Sequence, residues 1–304
     1  MTTRPESCIA PIAAVPTERA TSRAGALLLL SKPGIVLAES LAGLAGILLA
    51  SRPVALSASV LFWSLLTLIM AASGAAMANC VLDAEADRRM PRLAARSRAL
   101  AMVDQVRVLT IALLLMGGAF LLTALFLNAL TLFLLATACS SYLLLYTRWL
   151  KRTTPWGVLA GAIPGALPPL IGAAAVSGRV AALPLLLGVI IFFWQLPHFW
   201  FLALHYREEY QQANIPVLPL IHGSRLTESL TLWSIVVLLP LTLVFSLLGP
   251  FSTGFTLVIL LAGILFLFCC YHSLHRKEYR KGFIASLAYL TVIIGAIISD
   301  AILN

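Results

Sequence analysis

The chain has only twelve Asp and Glu among 304 residues, and they are unevenly placed. Three fall in one short segment, Asn79-Cys-Val-Leu-Asp83-Ala-Glu85-Ala-Asp87-Arg88-Arg89-Met90. Asn79, Asp83 and Asp87 are spaced i, i+4, i+8, so on a helix they form one stripe, with Glu85 on the opposite side. Like charges one turn apart repel. One reading is a bound cation: oxygen-only ligands suit Mg²⁺, whose shell is completed by waters and substrate phosphates. The other is a solvated helix end whose acids pair with neighbouring arginines. A second acidic pair, Glu208 and Glu209, lies farther along the chain. His198, His205 and Glu209 are spaced i, i+7, i+11, again one stripe if the helix is continuous, although Pro197 can distort its start. The two histidines read equally as ligands and as hydrogen-bonded residues at a membrane edge. Arg88, Arg89, Arg92 and Arg96 flank the first acidic segment, and Lys151 and Arg152 stand in another basic cluster. Arg and Lys neutralise phosphate oxygens, so these clusters could hold a phosphorylated ligand.

The elements that position these residues must be membrane helices. The chain is 61% hydrophobic and 11% charged, with a mean hydropathy of +0.98. Soluble domains run near 25% charged, so a water-soluble enzyme, a disulfide-stapled secreted domain, a disordered chain and a DNA-binding module are all excluded. The five cysteines show no ligand spacing and read as small apolar packing residues. Nine apolar runs are long enough to cross a bilayer, at about 34–51, 56–80, 107–127, 129–147, 155–177, 181–204, 228–248, 254–271 and 283–302. The runs are continuous rather than alternating, which selects helices over a β-barrel. The expected fold is therefore all-α, nine transmembrane helices around a central cavity. Of the 21 Lys and Arg, all but Arg52 and Arg179 then fall on one side. The positive-inside rule makes that side cytoplasmic, with the N-terminus inside and the C-terminus outside. Residues 1–24 read as a mobile segment without a cleavable signal, and 25–304 as a single membrane domain. The acid clusters and their cationic rim all lie on the cytoplasmic face. That arrangement fits a molecule with an apolar tail and a diphosphate head. An ion transporter would place acids deep in several spans, whereas here only Glu39 is deep.

These residues also carry a resemblance. The segment Asn79 to Arg96 resembles the first aspartate-rich motif, N-x-x-x-D-x-x-x-D, of the UbiA-type intramembrane prenyltransferases. Within that superfamily the chain is similar to the protoheme IX farnesyltransferase (haem O synthase) branch. Further blocks point the same way: Lys32-Pro33-Gly34, Tyr146-Thr-Arg-Trp-Leu-Lys151-Arg152-Thr-Thr-Pro155, Gly165-Ala-Leu-Pro168-Pro169-Leu-Ile-Gly172, and Trp194-Gln-Leu-Pro197-His198-Phe199-Trp200 running on to Tyr210 and Pro219. The resemblance covers about residues 30–225. The chain departs from the branch at Leu93, usually Thr, at Arg96-Ser97-Arg98, usually R-P-L or R-V-L, at Glu85 and the Glu208-Glu209-Tyr210 element, where Asp is usual, and at Glu39, often Asn.

The resemblance implies farnesyl diphosphate as donor, haem b as acceptor and Mg²⁺ as cofactor, with haem O and diphosphate as products. It implies catalytic roles for Asn79, Asp83, Asp87 and Lys151. Asp83, Asp87, Glu208 and Glu209 would bind metal. Arg88, Arg92, Arg96, Arg152 and Tyr146 would hold diphosphate; His198 or His205 would coordinate or orient the haem iron, since imidazole suits iron, and Trp194 would stack on the porphyrin. The implied surroundings are the lipid bilayer of a bacterial cytoplasmic (inner) membrane, rather than a mitochondrial one. A haem-modifying enzyme or terminal oxidase would receive the product, and no nucleic acid is involved. Two rivals share the same residues: a prenyltransferase for an aromatic or quinone-precursor acceptor, and a silent assembly factor that carries haem for an oxidase.

Overall fold

The computed structural model describes residues 22–51 and 56–303. Residues 1–21 of the expected N-terminal segment 1–24, with Cys8, lie outside the described residues, as does Arg52. Every regular element among the described residues is a helix, and nine are long and apolar enough to cross a membrane. With no water inside a bilayer, each backbone N–H and C=O must be paired within its own segment, which a helix does.

A short helix, α1 (Arg23–Leu30), comes first. Ser22 caps it by accepting from the Gly25 N–H at 3.1 Å. The spans α2 (Pro33–Ser51) and α3 (Ala58–Leu82) come next. The connection after α3 holds α4 (Ala84–Arg88), a 3₁₀ turn at Pro91–Leu93 and α5 (Ala94–Val103). Then come the spans α6 (Gln105–Phe126), α7 (Ala129–Thr153), α8 (Gly157–Ser177) and α9 (Ala182–His205). Two short helices, α10 (Arg207–Gln212) and α11 (Leu218–Ile221), precede the last spans α12 (Ser224–Leu248), α13 (Thr253–His275) and α14 (Tyr279–Leu303).

The nine spans match the nine apolar runs, with ends that differ by a few residues. Several helices overrun their apolar stretch on the basic side. The fourth continues to Thr153 and so carries Lys151 and Arg152 in its last turn. A helix C-terminus is a favourable place for cations, because the macrodipole is negative there.

Two spans depart from regular geometry. α8 is broken at Leu167, between Gly157–Ala166 and Pro168–Ser177; Pro168 and Pro169 have no N–H to continue the ladder. α7 is π-helical from Ser141 to Leu150, a form with i→i+5 bonding that takes more residues into each turn. Small residues allow the spans to approach, as lipid supplies no hydrophobic drive between them. At the α2–α8 crossing, Gly46 lies against the Pro169 carbonyl and Gly172 against that of Gly43. A cavity of about 200 Å³ opens between α2, α3, α7, α8 and α9. Its wall is largely apolar, with Leu68, Ala71, Leu135 and Ile171 among the lining residues, and its polar members are Lys32, Glu39, Cys139, Tyr142 and Gln195.

Candidate active site

The site grows from the C-terminal end of α3. That helix stops at Leu82, Asp83 takes a non-helical conformation (φ −92°, ψ 3°), and α4 carries the chain on to Arg88. The Asp87 N–H still bonds the Asp83 carbonyl at 2.8 Å, so Asn79, Asp83 and Asp87 stay on one side across the break. All three are buried; Asp83 is only 2% exposed. Glu85 points away and forms an exposed pair with Arg89.

Buried carboxylates need compensation, and each finds a cation from another element. Lys151 Nζ lies 2.5 Å from Asp83 Oδ2, and Arg152 reaches both Asp83 Oδ1, at 3.2 Å, and the Leu82 carbonyl, at 2.6 Å. Arg96, on α5, meets Asp87 at 3.4 Å. Arg92 stands 3.4 Å from Glu209 on α10, donates to Tyr210 Oη at 3.2 Å and lies over the Tyr206 ring. Arg92 and Arg96 therefore join two acidic elements that stand far apart in the sequence. Burial raises the pKa of the Glu209 carboxyl, against the opposing pull of Arg92.

Three further residues complete the network. Lys32 donates to Asn79 Oδ1 at 2.5 Å and to Tyr142 Oη at 3.3 Å. The Asn79 amide donates in turn to Asp83 Oδ2 at 2.9 Å and to Thr147 Oγ1 at 3.0 Å. The amide's orientation is thus set from three sides. Burial, the largest influence, brings the Lys32 ammonium down to about 8, with Arg96 and Lys151 adding to the effect. Tyr142, Thr147 and Arg152 are five residues apart in turn and all meet this network. On an α-helix a step of five turns 500°, leaving neighbours on different faces; the π-helical stretch brings them into line. This explains why α-helical spacing found Arg152 only as part of a basic cluster and did not find Tyr142 or Thr147. The signal for Lys32 was a lone cation just before the Pro33 that opens α2.

Of the other expected residues, Tyr146 lies beneath Lys151, whose Nζ is 6.0 Å from its ring centroid, and packs against Gly161. Arg88 and Glu208 are exposed, outside the network. The expected stripe of His198, His205 and Glu209 is not continuous. Pro197 is accommodated inside α9, and it is Tyr206 (φ −106°, ψ 31°) that ends the helix. His198 is turned to α14: its Nδ1 is 2.8 Å from Ser286 Oγ, and its ring stacks between Trp194 and Phe283. The Trp194 indole N–H donates to the Ser286 carbonyl at 2.7 Å. Neither His198 nor Trp194 lines the cavity. The His205 side chain makes no hydrogen bond to any described residue and packs edge-on against Tyr206.

No three His, Cys, Asp or Glu side chains among the described residues converge to hold a metal ion on their own. The donor chemistry nevertheless suits a hard cation shared with a ligand. The available donors are carboxylate and amide oxygens, and Glu209 Oε2 is buried without a hydrogen bond. Mg²⁺ commonly binds through one or two carboxylates plus substrate phosphates.

Known proteins resemble this chain over most of its length. The model of the UbiA prenyltransferase family matches residues 40–293. A protein of Geotalea uraniireducens named protoheme IX farnesyltransferase is 40% identical over 237 residues, 78% of this chain and 92% of its own. Protoheme IX farnesyltransferase 1 of Pseudomonas putida is 39% identical over 89% of this chain and 92% of its own. A solved UbiA homolog from Archaeoglobus fulgidus, bound to DMAPP and Mg²⁺, superposes with a TM-score of 0.69 at 15% identity, over 89% of this chain and 98% of that one. The helices, the acid–cation network and these likenesses together make this chain a member of the UbiA prenyltransferase family.

Proposed function

We propose that this prenyltransferase moves the farnesyl group of farnesyl diphosphate to a vinyl group of haem b, with addition of water, giving haem O and diphosphate. One observation carries the reading. Asp83, Asp87 and Glu209 meet Lys151, Arg152, Arg92 and Arg96 beside an apolar cavity, in a chain whose relatives are named for this donor and acceptor.

The chemical task is to break an allylic C–O bond whose leaving group is highly charged. Mg²⁺, shared between the substrate's phosphates and one or two of Asp83, Asp87 and Glu209, would supply Lewis-acid neutralisation of the departing diphosphate. The residues do the rest by changing partners. Lys151, Arg152, Arg92 and Arg96 pair with the carboxylates in the free protein and would turn to phosphate oxygens once substrate arrives. Charge-assisted hydrogen bonds of this kind strengthen as negative charge develops on the leaving group. Asn79, fixed by Lys32 and Thr147, would orient a diphosphate oxygen or a water. Lys32 adds a fifth cation, so positive charge exceeds negative before an anionic substrate binds. The apolar wall keeps bulk water from the allylic cation until the vinyl carbon attacks.

His205, at the end of α9 and without a side-chain hydrogen bond, is the histidine available to the porphyrin, and imidazole suits haem iron. The Lys and Arg distribution supports a reading with the polar mouth and the N-terminus on the cytoplasmic side and the C-terminus outside, and the bacterial relatives support an inner membrane. So apolar a haem product would pass directly to a haem-modifying enzyme or a terminal oxidase.

The test is to incubate membranes containing the chain with haem b, farnesyl diphosphate and Mg²⁺, with and without EDTA, and to weigh the haems by mass spectrometry. The expected result is an EDTA-sensitive haem heavier by one hydroxyfarnesyl group. Diphosphate release with no modified haem would show another acceptor; neither, from folded protein, would show a silent carrier.

A further inference from the structure

The cavity between α2, α3, α7, α8 and α9 shares two residues with the diphosphate network, Lys32 and Tyr142. That end is its mouth. Away from it, α3 lines the wall with Ala76, Ala75, Ala72 and Ala71, and then with Leu68. Behind Tyr142, α7 contributes Cys139 and Ala138, and then Leu135. α8 runs from Gly161 and Gly165 to Ile171. Three separate helices thus carry short side chains near the mouth and a branched one at the far end. Glu39 and Gln195 belong to the α2 and α9 sides.

The far end is closed. Leu68, Leu135 and Ile171 are buried and belong to one packed cluster. Leu68 lies on Gly43 of α2, and Gly172, the residue after Ile171, lies on the Gly43 carbonyl. The α3 and α8 members therefore close against one point of α2. Helical rise gives the depth. Leu68 is about 12 Å along α3 from Ala76, and Gly43 is about 16 Å along α2 from Lys32. A farnesyl group laid out with carbon–carbon bonds of about 1.5 Å spans about 14 Å, and one isoprene unit more or less changes that by about 5 Å.

We infer that Leu68, Leu135 and Ile171 form a floor on which the last isoprene unit of the donor rests, and that this floor sets the chain length the enzyme accepts. The inference rests on the farnesyl reading of the donor. With the diphosphate fixed at the mouth, a shorter tail leaves the floor uncovered. A longer one must displace side chains that are already close-packed. A tail that left the cavity for the surrounding lipid would meet no such limit. One methylene too many or too few in an apolar pocket already discriminates by about tenfold or more, and an isoprene unit is larger.

The experiment measures binding of geranyl, farnesyl and geranylgeranyl diphosphates, each with Mg²⁺, by calorimetry on the purified chain, and weighs the haems formed when haem b is added. The proteins are wild type, Leu135→Ala and Ala72→Leu. Wild type should bind the farnesyl donor at least about tenfold more tightly than the geranylgeranyl one. Leu135→Ala should open the floor and bring the two level. Ala72 is half-buried and stands one helical turn nearer the mouth than Leu68, about 6 Å. Ala72→Leu therefore adds bulk to open space, and should move the preference from farnesyl to geranyl by about tenfold. Structural damage would weaken all three donors together and leave their order unchanged. Equal binding of the three by wild type, or variants that keep the wild-type order, would overturn the inference, while farnesyl transfer would still be judged by the haem masses. The two opposite shifts in binding, from a wild type that forms no modified haem, would support the floor and defeat the haem assignment. If Leu135→Ala does not accumulate as folded protein, Ala72→Leu decides the matter by its geranyl-to-farnesyl ratio.

Discussion

Asp83 is matched by two cations, Lys151 and Arg152, whereas Asp87 is matched by Arg96 alone at 3.4 Å. Their substitutions should therefore separate. Both carboxylates would be needed for turnover, so Asp83→Asn and Asp87→Asn should each lower it by at least about a hundredfold. Only Asp83→Asn strands a buried lysine. Breaking a buried pair on one side costs about 3–5 kcal/mol, so it alone should show a clearly lower melting temperature in detergent. Lys32 makes a prediction in pH. Its ammonium is at about 8 in the free protein, below the ordinary value of about 10.4. As pH rises through 8 the cation beside Asn79 is lost, and kcat/KM for the prenyl diphosphate, which reports the free enzyme, should fall. The stability term has the opposite sign. Between about pH 8 and 10.4 the unfolded chain holds a proton here that the folded chain does not, so this group's contribution to stability rises with pH. Lys32→Arg should remove the alkaline loss of kcat/KM; if that limb persists, another group causes it. At this scale the sequence showed the acids plainly, because Asn79, Asp83 and Asp87 keep α-helical spacing. It showed Lys32 in the Lys32-Pro33-Gly34 block but gave it no place in the site, since its partner Asn79 is 47 residues away.

Among the elements, the nine spans were legible because an apolar run of about 20 residues has few alternatives. The short helices α1, α4, α5, α10 and α11 were not, being too brief or too polar to stand out. They matter all the same, since α5 and α10 bring Arg96 and Glu209 to the site, and the 3₁₀ turn before α5 brings Arg92. The α2–α8 crossing sets one wall of the cavity and depends on glycine. A Cβ at Gly46 would overlap the Pro169 carbonyl, and backbone cannot move aside as a side chain does. Gly46→Val should cost about 3 kcal/mol, the upper part of the range for overpacking, seen as lost monodisperse protein on size exclusion. The two histidines of α9 also separate at this scale. His198 is engaged by Ser286 on α14 and His205 is not. Titrated with haem, His205→Ala should lose the absorbance change of the wild type. His198→Ala should keep it and lose only about 1 kcal/mol of stability with its hydrogen bond. The reverse pattern would put the porphyrin against α14.

For the whole molecule, the network is held together by its own ion pairs. Every buried carboxylate of the site already has a cation beside it. Chelation should therefore stop turnover while leaving the melting temperature of the free protein unchanged within about 1 °C, a result distinct from that of structural metal sites, where folding depends on the ion. A large drop with EDTA alone would mean that a cation is part of the fold. The overall architecture could be read from apolar length and the placement of Lys and Arg. The partnership of α3, α5, α7 and α10 at the mouth could not, because pairing between distant segments leaves no local periodicity. The π-helical stretch of α7 adds a last consequence, one of residue number rather than residue type. Removing any one residue between Ser141 and Leu150 would break the five-residue repeat that brings Tyr142, Thr147 and Arg152 into line, while shortening the span only slightly. The membrane would tolerate the shorter helix, yet Lys151 and Arg152 would leave Asp83. Over this stretch the chain is free to vary in composition along its lipid side, but its length is part of the active site.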